Sequence, residues 1–183
     1  RRAGIVRAAS EPMLAQLRLA WWRDRLQADP ATWPAREPVL AALAPFGEMH
    51  RAMAGLGDGW EAMLGEAPID PACLARLAEA RGHGFAALAV QLGAQAARDE
   101  ARRMGAERGL ADLAAGLSHP GERESARQAL ALRDWRAARL PRVLRPLAVL
   151  HGLAARAVKS GRDLDRLGLA DLAPALRIGL LGR

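Results

Sequence analysis

Apolar residues in this chain recur three and four positions apart wherever proline and glycine leave a segment unbroken. No stretch alternates apolar and polar with the period of two that a half-buried strand requires. That periodicity restricts the chain to packed helices. The pattern is plainest near the start, where Ser10, Glu11 and Pro12 offer an N-cap, an acid and a first-turn proline. Leu14, Leu17, Trp21 and Leu26 follow at helical spacing, which predicts a core helix with Trp21 and Trp22 on its buried shoulder.

Prolines punctuate what comes next. Asp29-Pro30 and Trp33-Pro34 predict a loop, since each proline disfavours helix in the residue before it. A short helix restarts at Glu37-Pro38, bends at Pro45 to Gly47, and gives way to one carrying Met49, Met53, Leu56, Trp60 and Leu64. Gly55, Gly57 and Gly59 lie inside that helix at about 1 kcal/mol each relative to alanine. They indicate either close approach of a neighbour or ligand, or a coding bias toward Gly, Ala and Arg. Asp70-Pro71 caps another helix, and Arg81-Gly82-His83-Gly84 either breaks it or lets a second helix pack against it. From Phe85 the pattern runs through Leu88, Leu92 and Ala96 to Met104 and Leu113 as one long alanine-faced helix. After the turn Ser118 to Gly121, a helix is expected over 122–139 with Ala129, Leu132 and Trp135 inward. Leu140-Pro141 opens an apolar helix that ends at Ser160-Gly161, and Asp171 to Leu181 closes the chain as an amphipathic helix.

One helical domain over residues 1–183 accommodates this, with ample apolar content for a core. The opening Arg1 sits in what reads as a helix end (Ile5, Val6), so the N-terminal part of the fold is expected upstream of it. The net charge of +7 comes from arginines scattered through every segment among Asp and Glu, with Lys159 the only lysine. Scattering of this kind disfavours a nucleic-acid surface, which gathers its cations on one face among stacking aromatics. It remains compatible with an anionic membrane or a diphosphate ligand. Lone Cys73 excludes an internal disulfide and suits a reducing compartment. Arg142, Arg145 and Arg156 interrupt the greasiest segment, so no run reaches the roughly 18 residues of a membrane span. The expected location is the cytoplasm, with peripheral contact at the inner membrane.

Chemistry is sparse. Glu66 and Asp70 are the only carboxylates spaced four apart, and Pro68 lies between them; Asp58 and Glu61, three apart, lack a second acidic cluster with which to share a metal. His50, His83, His119 and His151 are far apart, and Ser10, Ser118, Ser125 and Ser160 read as caps or turn residues. No zinc site, nucleophile elbow or phosphate loop is legible.

Four runs nevertheless occur in a familiar order. Ser10 to Arg23, then Gly57-Asp58-Gly59-Trp60-Glu61, Ala101-Arg102-Arg103-Met104-Gly105, and Leu140-Pro141-Arg142 through Leu147 together resemble the squalene/phytoene synthase family, in particular its divergent bacterial branch. The resemblance implies an isoprenoid-synthase-like helical bundle around a central apolar cavity. It also implies magnesium-dependent head-to-head joining of farnesyl or geranylgeranyl diphosphates, with metal held by two aspartate-rich helices. Where active members carry the second aspartate motif, this chain has Gly109, Asp112, Ala115, Gly116 and Pro120, and the acid expected after Trp60 falls on Met63.

Asp112 is the sole polar survivor and the one candidate catalytic residue. The expectation is therefore a pseudoenzyme like the non-catalytic branch that includes a complex I assembly factor, binding an isoprenoid or lipid or serving a protein partner as a scaffold. It would need no cofactor and carry no metal ligands. The alternative is an active prenyl transferase with Mg2+, using Asp112. Trp60, Phe85, Leu88, Leu92 and Leu147 are the candidate residues lining the cavity.

Overall fold

A computed structural model of the chain describes residues 12–162, 164 and 168–182. The expected cap at Ser10 and Glu11, and the start around Arg1, Ile5 and Val6, lie outside the described residues. Within them the chain is helical and carries no strand. Eight α-helices follow one another: α1 (Pro12–Gln27), α2 (Pro38–Leu43), α3 (Met49–Glu61), α4 (Pro71–Gln91), α5 (Arg98–Gly116), α6 (Pro120–Ala131), α7 (Arg145–Lys159) and α8 (Leu172–Leu181). Short 3-10 turns at Pro30–Thr32, Ala44–Phe46, Gln95–Ala97, Arg142–Leu144 and Leu169–Asp171 connect them. Proline opens α2, α4 and α6, where its missing N–H costs nothing. Asp70 caps α4 by accepting from the Ala72 N–H at 2.8 Å, and Asp29 caps its 3-10 turn in the same way through Ala31.

The antiparallel pair α4 and α5 forms the centre. Their axes come close because glycine stands where a side chain would collide. A Cβ on Gly82 would lie 2.6 Å from the Arg102 carbonyl oxygen, and one on Gly105 would lie 2.5 Å from the Phe85 ring. Gly82 and Gly84 therefore pack helices and leave α4 unbroken. The core is divided into three clusters. Leu74, Leu77, Leu110 and Leu113 join α4 and α5 to Leu130 of α6 and Ala154 of α7. Ala89, Met104 and Leu147 form a second cluster with Phe85, and Leu26, Leu40 and Ala54 form a third with Trp22 and Trp33.

Three local expectations change. On α1, Leu14 and Leu17 face solvent and Trp21 is exposed, while Ala15 and Leu26 are buried and Trp22 packs against the cluster that holds Leu26. The helix carries two apolar stripes, and packing against α3 selects the second, with Leu19 O and Arg23 Cβ lying 3.6 Å from where a Cβ on Gly57 would stand, an ordinary contact distance. Of the glycine series, Gly59 is forced by close packing, against Leu77 at 2.9 Å, whereas Gly57 has room for a Cβ and Gly55 meets nothing within 4 Å. The long helix expected from Phe85 to Leu113 is two helices, turned back on each other at Gly93, whose φ is +72°.

The helix expected over 122–139 stops at Ala131. Leu132 points into solvent, and Trp135 takes a positive φ of +50°. Trp135 reaches the core by that turn of the backbone rather than by helical register. Its indole Nε1 donates to the Leu130 carbonyl at 2.9 Å, and its ring stacks on His151 at 5.4 Å between centroids. No helix among the described residues is long and apolar enough to cross a membrane.

Candidate functional site: a cationic cleft beside a buried acid

Asp112, on α5, lies between two guanidiniums. Arg81 Nη1 donates to it at 2.8 Å and Arg108 sits at 3.4 Å from the other oxygen. Partial burial works to raise its pKa, but Arg108 and Arg81 outweigh that and hold the carboxyl below its ordinary range. Arg81 is itself fixed, donating to the Gly109 carbonyl and lying over the Trp60 ring at 5.6 Å. The surviving acid is thus neutralised by its own fold. No group of three or more His, Cys, Asp or Glu among the described residues is placed to hold a metal ion.

The five residues expected to line one cavity are dispersed. Phe85 and Leu147 meet in the second cluster, and Trp60 packs against the first. Leu88 is half-buried on α4, and Leu92 is exposed at that helix's C-terminal cap. None of them lines either of two open clefts. One cleft, about 960 Å³, runs between α3 and α4 over Ala52, Gly55, Ala80 and Ala87, and its rim mixes Arg51, Arg76 and Arg98 with Glu48 and Glu79.

The other cleft, about 580 Å³, opens between α5, α6, the segment after α6 and the end of α7. Its floor is apolar: Ala111, Leu130, Trp135 and Val158. Among the described residues its rim carries Arg123, Arg127, Arg133, Lys159 and Arg162 against a single acid, Asp134. Spacing on α6 explains part of this, since Arg123 and Arg127 are four residues apart and share a face.

Several of these cations have some other engagement. Arg123 spends its Nε on the Leu117 carbonyl at 2.6 Å, and Arg133 lies 3.6 Å from Glu79. Arg127 has a loose exposed pairing with Glu124 at 3.7 Å. Arg162 grips Asp171 with two bonds of 3.1 and 3.2 Å, which with the Gly168 N–H lowers the Asp171 pKa to about 2. Lys159 has no ion-pair partner among the described residues.

Behind the Trp135 wall lies a buried polar network that sequence spacing did not suggest. His151 Nε2 and Glu107 Oε2 are 2.5 Å apart, both side chains almost wholly buried. Arg103 donates to the same Glu107 oxygen at 2.8 Å, and also to Glu100 and to the Arg136 carbonyl. Burial pushes the Glu107 pKa up, yet His151 and Arg103 together bring it below its ordinary value. An ionised carboxylate only accepts, so Nε2 of His151 carries the proton in this bond. Glu107 was legible in one respect: it occupies a core register position, three residues from both Met104 and Leu110.

No family model matches this chain, and no curated protein or solved structure matches it.

Proposed function

We propose that this chain is a squalene/phytoene synthase-like protein that binds an isoprenoid or lipid with a phosphate or diphosphate head and does not turn it over. The observation that carries this reading is the cleft between α5, α6 and α7, where, among the described residues, five cations surround an apolar floor with one acid among them. Such a site suits an amphiphile. The hydrocarbon lies against Leu130, Trp135 and Val158, and the head meets Arg127, Lys159 and the free nitrogens of Arg123. Guanidinium and ammonium groups neutralise a diphosphate directly, which substitutes in binding for the magnesium held by carboxylates in active family members. Chemistry is a separate matter, because the one aspartate left on α5 is committed to Arg81 and Arg108.

Titration with farnesyl diphosphate in chelator, followed by tryptophan fluorescence, tests binding. The diphosphate should bind at least about tenfold more tightly than farnesol, a difference of about 1.4 kcal/mol. Equal affinity for both would remove the cationic rim from the account. Incubation with farnesyl or geranylgeranyl diphosphate and Mg2+ tests the second half. Release of inorganic diphosphate that Asp112→Ala abolishes would establish the alternative, an active prenyl transferase.

A further inference from the structure

The last helix leaves an apolar face uncovered. One side of α8 packs on α7, where Gly152 makes room for Ile178, and Arg145 Nη1 donates to the Leu180 carbonyl at 2.7 Å near the helix end. Away from that contact, Leu169, Leu172, Leu176 and Leu180 follow at spacings of three, four and four residues and are 91, 56, 53 and 70 % exposed. Water against four leucines in a row is unfavourable, and a row this regular marks a surface that something covers.

The surrounding charge says what. Arg177 lies on the same helix, Arg145 binds its C-terminal carbonyls, and Arg142 stands on the turn just before Arg145. Among the described residues from 142 to 182 the only carboxylate is Asp171, which is buried and held by Arg162, with Arg156 at 3.6 Å. A second copy of this face would bring arginines against arginines with no free acid among the described residues to receive them. An anionic lipid surface supplies both things the face lacks, phosphate oxygens for the arginines and hydrocarbon for the leucines.

We infer that α8 docks this protein on an anionic bilayer, lying in the plane of the interface with its leucine row in the headgroup and acyl boundary. Ten residues make a helix of about 15 Å, half the hydrocarbon thickness, so the helix rests on the membrane and does not cross it. This docking is independent of the α5, α6 and α7 cleft.

Co-sedimentation of the whole chain with vesicles tests it. Vesicles of phosphatidylglycerol and phosphatidylcholine should carry the protein down, phosphatidylcholine alone should not, and high salt should release it. Replacing Leu172, Leu176 and Leu180 together by Ser should abolish sedimentation while leaving farnesyl diphosphate binding unchanged. Arg142→Gln and Arg177→Gln, which keep the leucine row and its packing, should each weaken partitioning about fivefold. Failure to sediment with anionic vesicles at low salt overturns the inference. So does a dimer, seen by light scattering, that the three Leu→Ser substitutions dissociate, because the face would then belong to a second copy.

Discussion

Glu107 of α5 and His151 of α7 share a 2.5 Å hydrogen bond in the interior, under the stacked ring of Trp135. The pair joins two helices that also meet through the apolar clusters on either side of it. It also stands directly behind the wall of the cationic cleft, since Trp135 contributes to both. Removing the acid strands a buried imidazole N–H and one nitrogen of the Arg103 guanidinium, which keeps Glu100 and the Arg136 carbonyl. Glu107→Ala should therefore lower stability by about 3 to 5 kcal/mol in urea unfolding. A loss below about 1 kcal/mol would show that the network is not a structural tie.

Glycine at helix contacts and glycine on an open face should answer alanine with opposite signs. At Gly82 a Cβ meets the Arg102 carbonyl at 2.6 Å, and backbone cannot swing aside. Gly82→Ala should cost about 1 to 3 kcal/mol by forcing α4 from α5. Gly55 meets nothing within 4 Å in the middle of α3, so Gly55→Ala should stabilise by up to about 1 kcal/mol. Thermal denaturation of the two variants decides the matter.

Acid should weaken the fold through carboxylates whose folded pKa is depressed. Asp171 moves from 3.8 to about 2, chiefly because Arg162 and the Gly168 N–H bind its charged form. A lowered folded pKa contributes stability above the unfolded value, and that contribution is lost as pH falls through 3.8 toward 2. Glu107 and Asp112 shift in the same direction and add to the same limb. Melting temperature should fall across this window, and Asp171→Asn should be less stable near neutrality with a shallower acid limb. An unchanged limb in that variant would sink the assignment.

Headgroup recognition should separate from hydrocarbon recognition by substitution. Arg127 and Lys159 rim the cleft on different helices and have little internal pairing, so Arg127→Ala and Lys159→Ala should fold normally. Each should weaken farnesyl diphosphate binding about tenfold, with farnesol affinity unchanged. Loss of both affinities in parallel would place the ligand elsewhere.

Much of the local structure was written in residue order. The helix starts at Pro38 and Pro71 and the cap at Asp70 follow from backbone chemistry that acts within a few residues, whereas the helix read from 122 begins at Pro120, and close packing is the one of two readings that holds for Gly59 and Gly82. For the same reason the absence of period-two patterning was enough for the all-helical class. The resemblance to squalene/phytoene synthases pointed to Asp112 and to five apolar side chains. Only Phe85 and Leu147 of those five come together in one cluster.

Which apolar stripe of α1 is buried, where α6 ends, and which charges gather depended on contacts between residues far apart in the chain. Leu14 and Ala15 are adjacent and both apolar, and α3 chooses between their faces. Trp135 leaves helical geometry because stacking on His151 and bonding to Leu130 O repay a strained φ. Arginines that look evenly scattered along the chain converge on one cleft because α6 and the end of α7 border the same gap beside α5. Periodicity reports which residues share a helix face; it carries no information on which helix will lie across from that face. The amino-acid sequence alone therefore determined the helices and their boundaries where proline, aspartate and glycine mark them. The cationic cleft and the buried Glu107 and His151 pair were decided by tertiary packing, since each is a relation between helices and no single helix contains it, and packing on α7 decided which face of α8 stays open.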